Sequence, residues 1–89
     1  MLTVRYTITI RREAKRKLQS LHAKDRLRIT SKIMELGLDP DDPSLDVKPL
    51  IGSHLWRLRV GGWRIIYDRQ DAIKIIAVER IRSRGDAYK

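Results

Sequence analysis

A chain of 89 residues makes one small domain, burying roughly 60–65% of its extended surface around a modest core. Lysine and arginine number 20 against 11 acidic residues, a net charge of +9, which favours a polyanion such as nucleic acid or an anionic membrane over plain solubility. The absence of cysteine excludes a disulfide framework and a thiolate metal site, and no apolar stretch approaches the ~20 residues that span a bilayer.

In MLTVRYTITI, Val4, Tyr6, Ile8 and Ile10 share one parity, with Thr3, Arg5, Thr7 and Thr9 on the other. That alternation predicts a strand with one buried face and not a signal peptide, so an intracellular protein is the default expectation. From Arg12 to about Leu21 the period becomes helical, with Ala14, Leu18 and Leu21 on the apolar side. Its polar face carries Arg12, Lys15, Arg16 and Lys17; a solvated face is the first account of that cluster, RNA contact the second. His22 and His54 stand apart without ligand spacing and are read as exposed polar residues. A second helix is expected from an Asp25 N-cap to Leu36, with Gly37 as its stop. Ile29, Ile33 and Leu36 form its buried stripe, which Leu27 and Met34 are expected to widen, Met34 as core filling. The segment LDPDDPSLDVKPLIGS, residues 38–53, holds all three prolines without a period and is expected to be a loop, of a length that is usually functional or mobile.

Three strands follow, at Leu55 to Val60, Trp63 to Arg69 and Ile73 to about Arg82. The class is α+β, ordered β-α-α-β-β-β in a single domain over residues 1–89. Its antiparallel sheet has two helices on one face and the other face open. In RLRVGGWR, residues 57–64, Gly61-Gly62 is a two-residue hairpin loop. It sets Val60 opposite Trp63, Leu58 opposite Ile65 and Trp56 opposite Tyr67, all on the core face. Arg59 then faces Arg64 and Arg57 faces Ile66, with the arginine side chains on the open face. Opposed like charges destabilise a sheet. Either an anion such as phosphate matches the guanidinium forks, or Glu79 or Asp68 neutralises them within the sheet. Arg80, Arg82 and Arg84 share one parity in the last strand and extend the positive surface. Tyr88 either reaches that surface or simply packs or frays.

Three blocks resemble the RelE/ParE superfamily, the toxin halves of bacterial type II toxin–antitoxin pairs: ITIRREAKRKLQSL, KPLIGSHLWRLRVGGWRIIYD and IIAVERIRSRGDAYK. Together they span nearly the whole chain. The middle block is the most specific, and the closing R-x-x-x-Y from Arg84 to Tyr88 is the second diagnostic piece. The resemblance implies the same β-α-α-β-β-β fold and, in RelE-like members, a ribosome-dependent endoribonuclease that uses no metal or cofactor. It implies Arg59, Arg64, Arg84 and Tyr88 as catalytic residues, with Arg57, Arg80 and Arg82 binding RNA. Many relatives carry histidine before the late arginine, where this chain has Ser83, and Arg11 stands where a Ser or Thr would cap the first helix. The expected partners are a cognate antitoxin and the ribosome with its mRNA, in a bacterial or archaeal cytoplasm without membrane attachment. ParE-like relatives on the same fold poison DNA gyrase, which is the alternative function.

Overall fold

The structure is a computed structural model that describes residues 5–83. Val4, Arg84 and Tyr88 fall outside the described residues. Within them, β1 (Thr7–Ile10), α1 (Arg12–Ser20) and α2 (Ala23–Leu38) precede β2 (Val47–Pro49), β3 (Leu55–Val60), β4 (Trp63–Gln70) and β5 (Ile75–Ser83). The sheet order is β1-β5-β4-β3-β2. The last three strands form the expected meander, but β1 lies parallel to β5, so the sheet is not wholly antiparallel. The two helices carry the chain from β1 to β2 at the opposite edge of the sheet, and successive antiparallel pairings then bring it back as β5, beside β1 and in the same direction. Among the described residues no helix is long and apolar enough to cross a membrane.

Ile29, Ile33 and Leu36 of α2 pack with Leu58, Val60, Ile65, Tyr67 and Ile81 of the sheet, and Ala14 carries α1 onto β5. Leu27 and Met34 do not join them, being 68% and 64% exposed. At 3.6 residues per turn they lie about 140–160° around the helix from Ile29, on the opposite side. Leu27, Met34 and Leu38 are a second apolar stripe that faces solvent. The helix also starts earlier than expected, with His22 and not Asp25 at its N-cap.

Gly37 does not stop α2, which continues to Leu38. A Cβ there would stand 3.0 Å from Cδ1 of Ile8 and 3.3 Å from the Tyr6 carbonyl oxygen. The Tyr6 N–H donates to the Gly37 carbonyl at 2.7 Å. Glycine is present because backbone meets backbone there, not for a left-handed conformation.

The expected loop 38–53 contains β2, where Val47, Lys48 and Pro49 pair with Leu58, Arg57 and Trp56. A three-residue edge strand ending in proline has too little sequence to show a period, and an edge position tolerates the missing N–H. The rest of the segment is tied down by Arg69. Its guanidinium donates to both carboxylate oxygens of Asp41, at 2.7 and 2.9 Å, and through Nε to Asp71 at 2.7 Å. It also lies over the rings of Trp56 and Tyr6, while the Tyr6 hydroxyl donates to Asp71 at 2.8 Å.

These hydrogen bonds from Arg69 hold the Asp41 and Asp71 carboxyls below their ordinary range, and the pairing raises the arginine in turn. A lowered carboxylate contributes stability that is present above its unfolded pKa, near ~4, and lost as pH falls through the folded value. Unfolding free energy is therefore expected to drop below pH ~4, and Arg69→Gln should flatten that acid limb. An unchanged limb in Arg69→Gln, followed by urea unfolding at several pH values, would remove the clamp from the account.

Candidate nucleic-acid interface

The β3–β4 hairpin turns through Gly61 at φ 58°, while Gly62 is not in the positive region. A positive φ at the first central position alone is the pattern of a type II′ turn, whose twist matches that of the flanking strands. The register is the one expected: Val60 pairs with Trp63, Leu58 with Ile65, Trp56 with Tyr67, Arg59 with Arg64 and Arg57 with Ile66. On the far side of β4, Arg82 pairs with Arg64 and Arg80 with Ile66. Next along, Tyr67 pairs with Val78, which leaves Glu79 as the extra residue of a bulge. The bulge resets the parity of β5. Ile76 and Val78 thereby reach the core, while Arg80 and Arg82 stay on the opposite face.

Three adjacent strands thus line up Arg59, Arg64 and Arg82 in one row, spanning two strand spacings or about 10 Å. Arg57 and Arg80 flank Ile66 in the next row. The face is the expected one, but Arg64 is not open to solvent: it is only 2% exposed. Its strand is the middle one, and both neighbours in the row carry long side chains that cover what lies between them.

Neither Glu79 nor Asp68 neutralises the row. Glu79 accepts from Arg11 Nε at 3.1 Å, and Asp68 accepts from the Gln70 amide at 2.9 Å. The acids that do reach it are Asp46 and Glu13, neither of which the sequence reading singled out. Asp46 accepts from Arg57 Nη2 at 3.2 Å and lies 4.0 Å from Arg59 Nε. Glu13 of α1 lies 3.1 Å from Arg82 Nη2. Arg64 Nη1 is buried and has no hydrogen-bond partner among the described residues. No spacing rule links Asp46 or Glu13 to arginines on other elements, so only the fold discloses them.

The outer guanidiniums thus carry a carboxylate each and the central one keeps unused donor capacity. A buried charge without a partner is costly, and an anion arriving at the centre of the row relieves that cost. The surface extends both ways. A groove of about 400 Å³ lies by Lys48, Arg57 and Arg59, and one of about 530 Å³ by Arg12, Arg16, Lys17 and Arg82. The basic face of α1 therefore opens onto the arginine sheet. Tyr67 is buried and Trp56 and Trp63 pack half-buried against the core, so they offer no stacking platform for bases. Among the described residues no group of His, Asp or Glu is gathered as a metal site.

Asp46 stands where a phosphate would have to approach Arg57 and Arg59. Asp46→Asn is expected to tighten binding of single-stranded RNA about 3–10-fold at low salt, because a competing carboxylate is removed and polyanion binding is largely electrostatic. Fluorescence anisotropy with a labelled oligonucleotide measures this; weaker binding would make Asp46 a positioning group for the arginines instead of a competitor.

A family model described as ParE toxin of type II toxin-antitoxin system, parDE, matches residues 8–88. Among solved structures, the archaeal RelE–RelB complex of Pyrococcus horikoshii contains a chain 28% identical, with a TM-score of 0.78, covering 90% of this chain and 96% of that one. The RelB–RelE antitoxin–toxin complex of Methanococcus jannaschii gives 25% identity and a TM-score of 0.75, over 91% of this chain and 95% of the other. The YoeB/ParE toxin of Agrobacterium tumefaciens shares the fold at 17% identity and a TM-score of 0.74, over 86% and 96%. No curated protein matches the sequence significantly.

Proposed function

The chain belongs to the ParE toxin family of type II toxin–antitoxin systems, and from that premise we propose that it is a toxin that cleaves mRNA on the ribosome. The observation that carries this reading is the buried, unpartnered Nη1 of Arg64 between Arg59 and Arg82, on the face turned away from the helices. A guanidinium with an unused donor and no acid partner among the described residues is suited to a phosphate.

In the proposed reaction the ribose 2′-oxygen attacks the adjacent phosphorus. The new O2′–P bond forms as the P–O5′ bond breaks, leaving a cyclic phosphate and a 5′-hydroxyl. Tyr88, assigned by resemblance, takes the 2′-hydroxyl proton; a guanidinium beside a phenol favours the phenol's ionised form. Arg64 and Arg59 stabilise charge building on the non-bridging oxygens, and Arg84 assists the departing 5′-oxygen, which takes its proton from water. Arg57, Arg80 and Arg82 hold the RNA backbone and ribosomal RNA. With no histidine in the scheme, holding the RNA in line falls to the ribosome, an orientational contribution of large size. The solved relatives from Pyrococcus and Methanococcus are antitoxin complexes, which supports a cognate antitoxin here, with an acidic segment suited to the arginine row.

The family model's own name supports a second reading, inhibition of DNA gyrase without nuclease activity. Adding the purified chain to a reconstituted translation reaction and mapping mRNA ends by primer extension separates the two. New 5′ ends only in translated message are expected. Intact message together with blocked supercoiling by purified gyrase would replace the nuclease reading with the second.

A further inference from the structure

Beside the arginine row, the proposed phosphate chemistry leaves one structured feature unused. After β2 the chain makes a tight turn closed by three hydrogen bonds. The Leu50 N–H donates to the Leu55 carbonyl at 2.9 Å, the Ser53 N–H to the Leu50 carbonyl at 3.2 Å, and the Leu55 N–H to Ser53 Oγ at 3.0 Å. Gly52, at φ 76°, supplies the left-handed residue. The turn holds Ile51 fully out in solvent. A single exposed apolar residue is ordinary, but this one does not stand alone. Pro49, Leu50 and Ile51 form one wall of the 400 Å³ groove, and Lys48, Arg57 and Arg59 border it together with Asp46, the carboxylate an incoming phosphate displaces from Arg57. Lys48 and Arg57 are direct cross-strand partners, and Arg59 is the partner of Arg64 one strand further on.

A ligand that satisfies this groove needs an anionic group for the cations and a flat apolar face for the wall, in covalent continuity with a phosphate at Arg64. Those are the properties of a nucleotide in a chain. We infer that the groove is a nucleotide subsite: the base next to the scissile phosphate lies on Pro49, Leu50 and Ile51, and its own phosphate meets Lys48 and Arg57. This rests on the reading of the arginine face as an RNA site. It makes Ile51 a residue that contacts RNA through the base and not through charge. The subsite gives the toxin a grip on one position of the message beyond the backbone.

The two kinds of contact are separable by salt and by base deletion. The probe is a fluorescein-labelled five-nucleotide RNA, 2′-deoxy at the scissile position so that it is not cut, and a set in which each base in turn is made abasic. The full-length chain is titrated by anisotropy. Ile51→Ala should keep its melting temperature, since the side chain touches nothing buried, and weaken binding about 3–10-fold with an unchanged salt slope. Arg59→Gln should reduce that slope by about one phosphate equivalent. One abasic position should weaken binding to the parent chain yet cause no further loss in Ile51→Ala. Additive losses at every position, or no binding of the probe by the parent chain, would overturn the subsite. So would an Ile51→Ala effect confined to antitoxin binding, which would assign the wall to a protein partner. If base coupling is found but translated mRNA stays intact, the nuclease reading falls and the subsite stands. If mRNA is cut without base coupling, the subsite alone falls.

Discussion

Arg64→Met is expected to make the protein more stable and, at the same time, inactive. The side chain is almost wholly buried, two arginines flank it in the sheet, and no acid among the described residues reaches it. Replacing a buried charge by an apolar side chain of similar length removes both its desolvation and the repulsion along the row. In comparable cases such replacements are neutral or stabilise by roughly 1–4 kcal/mol. Methionine is flexible enough to fill the vacated space. Activity should move the other way, by about 100-fold or more in single-turnover cleavage, because transition-state charge on the phosphate loses a preorganised donor. Arg64→Ala should be equally inactive without the gain in stability, since it leaves a void under the neighbouring side chains. Arg64→Lys keeps the charge but not the planar fork, so it should fold like the parent and cleave poorly. Urea midpoints with ribosome-dependent cleavage provide the comparison. A less stable Arg64→Met would mean that the guanidinium has an internal partner, and unimpaired cleavage would move the phosphate away from this row.

That opposition explains why the site was only partly legible in the sequence. Two glycines and strict alternation were sufficient to place Arg59 against Arg64 and to put both on the face away from the helices. The hairpin is local, and its register depends on residues within a few positions of the turn. Burial of Arg64 depends on its other neighbour, Arg82, whose side of β5 was legible by parity but whose register opposite Arg64 is set by pairing between two strands. Neither that register nor the bulge at Glu79, which turns Ile76 and Val78 to the core, leaves a mark in periodicity. Asp46 and Glu13 were missed for the same reason: their arginine partners are 11 to 69 positions away. The reading of Leu27 and Met34 failed differently. Their seven-residue spacing is helical, but spacing shows only that they share a face with each other, and the core had already taken the face of Ile29, Ile33 and Leu36. Gly37 looked like a terminator because helices often end at glycine, whereas its role is to let α2 touch β1.

Tyr67 offers the strongest test of the sheet's core side. It is fully buried beneath the helices, opposite Trp56 on one side and Val78 on the other, so Tyr67→Ala should cost on the order of 3–5 kcal/mol. Its hydroxyl has no hydrogen-bond partner among the described residues. Tyr67→Phe removes only that oxygen and should stabilise by about 1 kcal/mol, because a buried polar group with no partner contributes its desolvation cost and nothing in return. The same burial pushes the phenol up from its ordinary value of 10 to about 12. A group whose folded pKa is raised contributes fully below its unfolded pKa and loses that contribution as pH rises through the folded value. The parent chain should therefore lose about 2–3 kcal/mol of stability from this residue between pH 10 and 12, at 1.36 kcal/mol per unit. Tyr67→Phe should be free of that loss, so the difference between the two chains widens steadily above pH 10. Measuring both by urea unfolding from pH 8 to 11.5 cancels the titrations of lysine and of the other tyrosines, which the chains share. A constant difference across that range would mean that Tyr67 ionises as readily folded as unfolded, and its placement in the dry centre of the core would have to be abandoned.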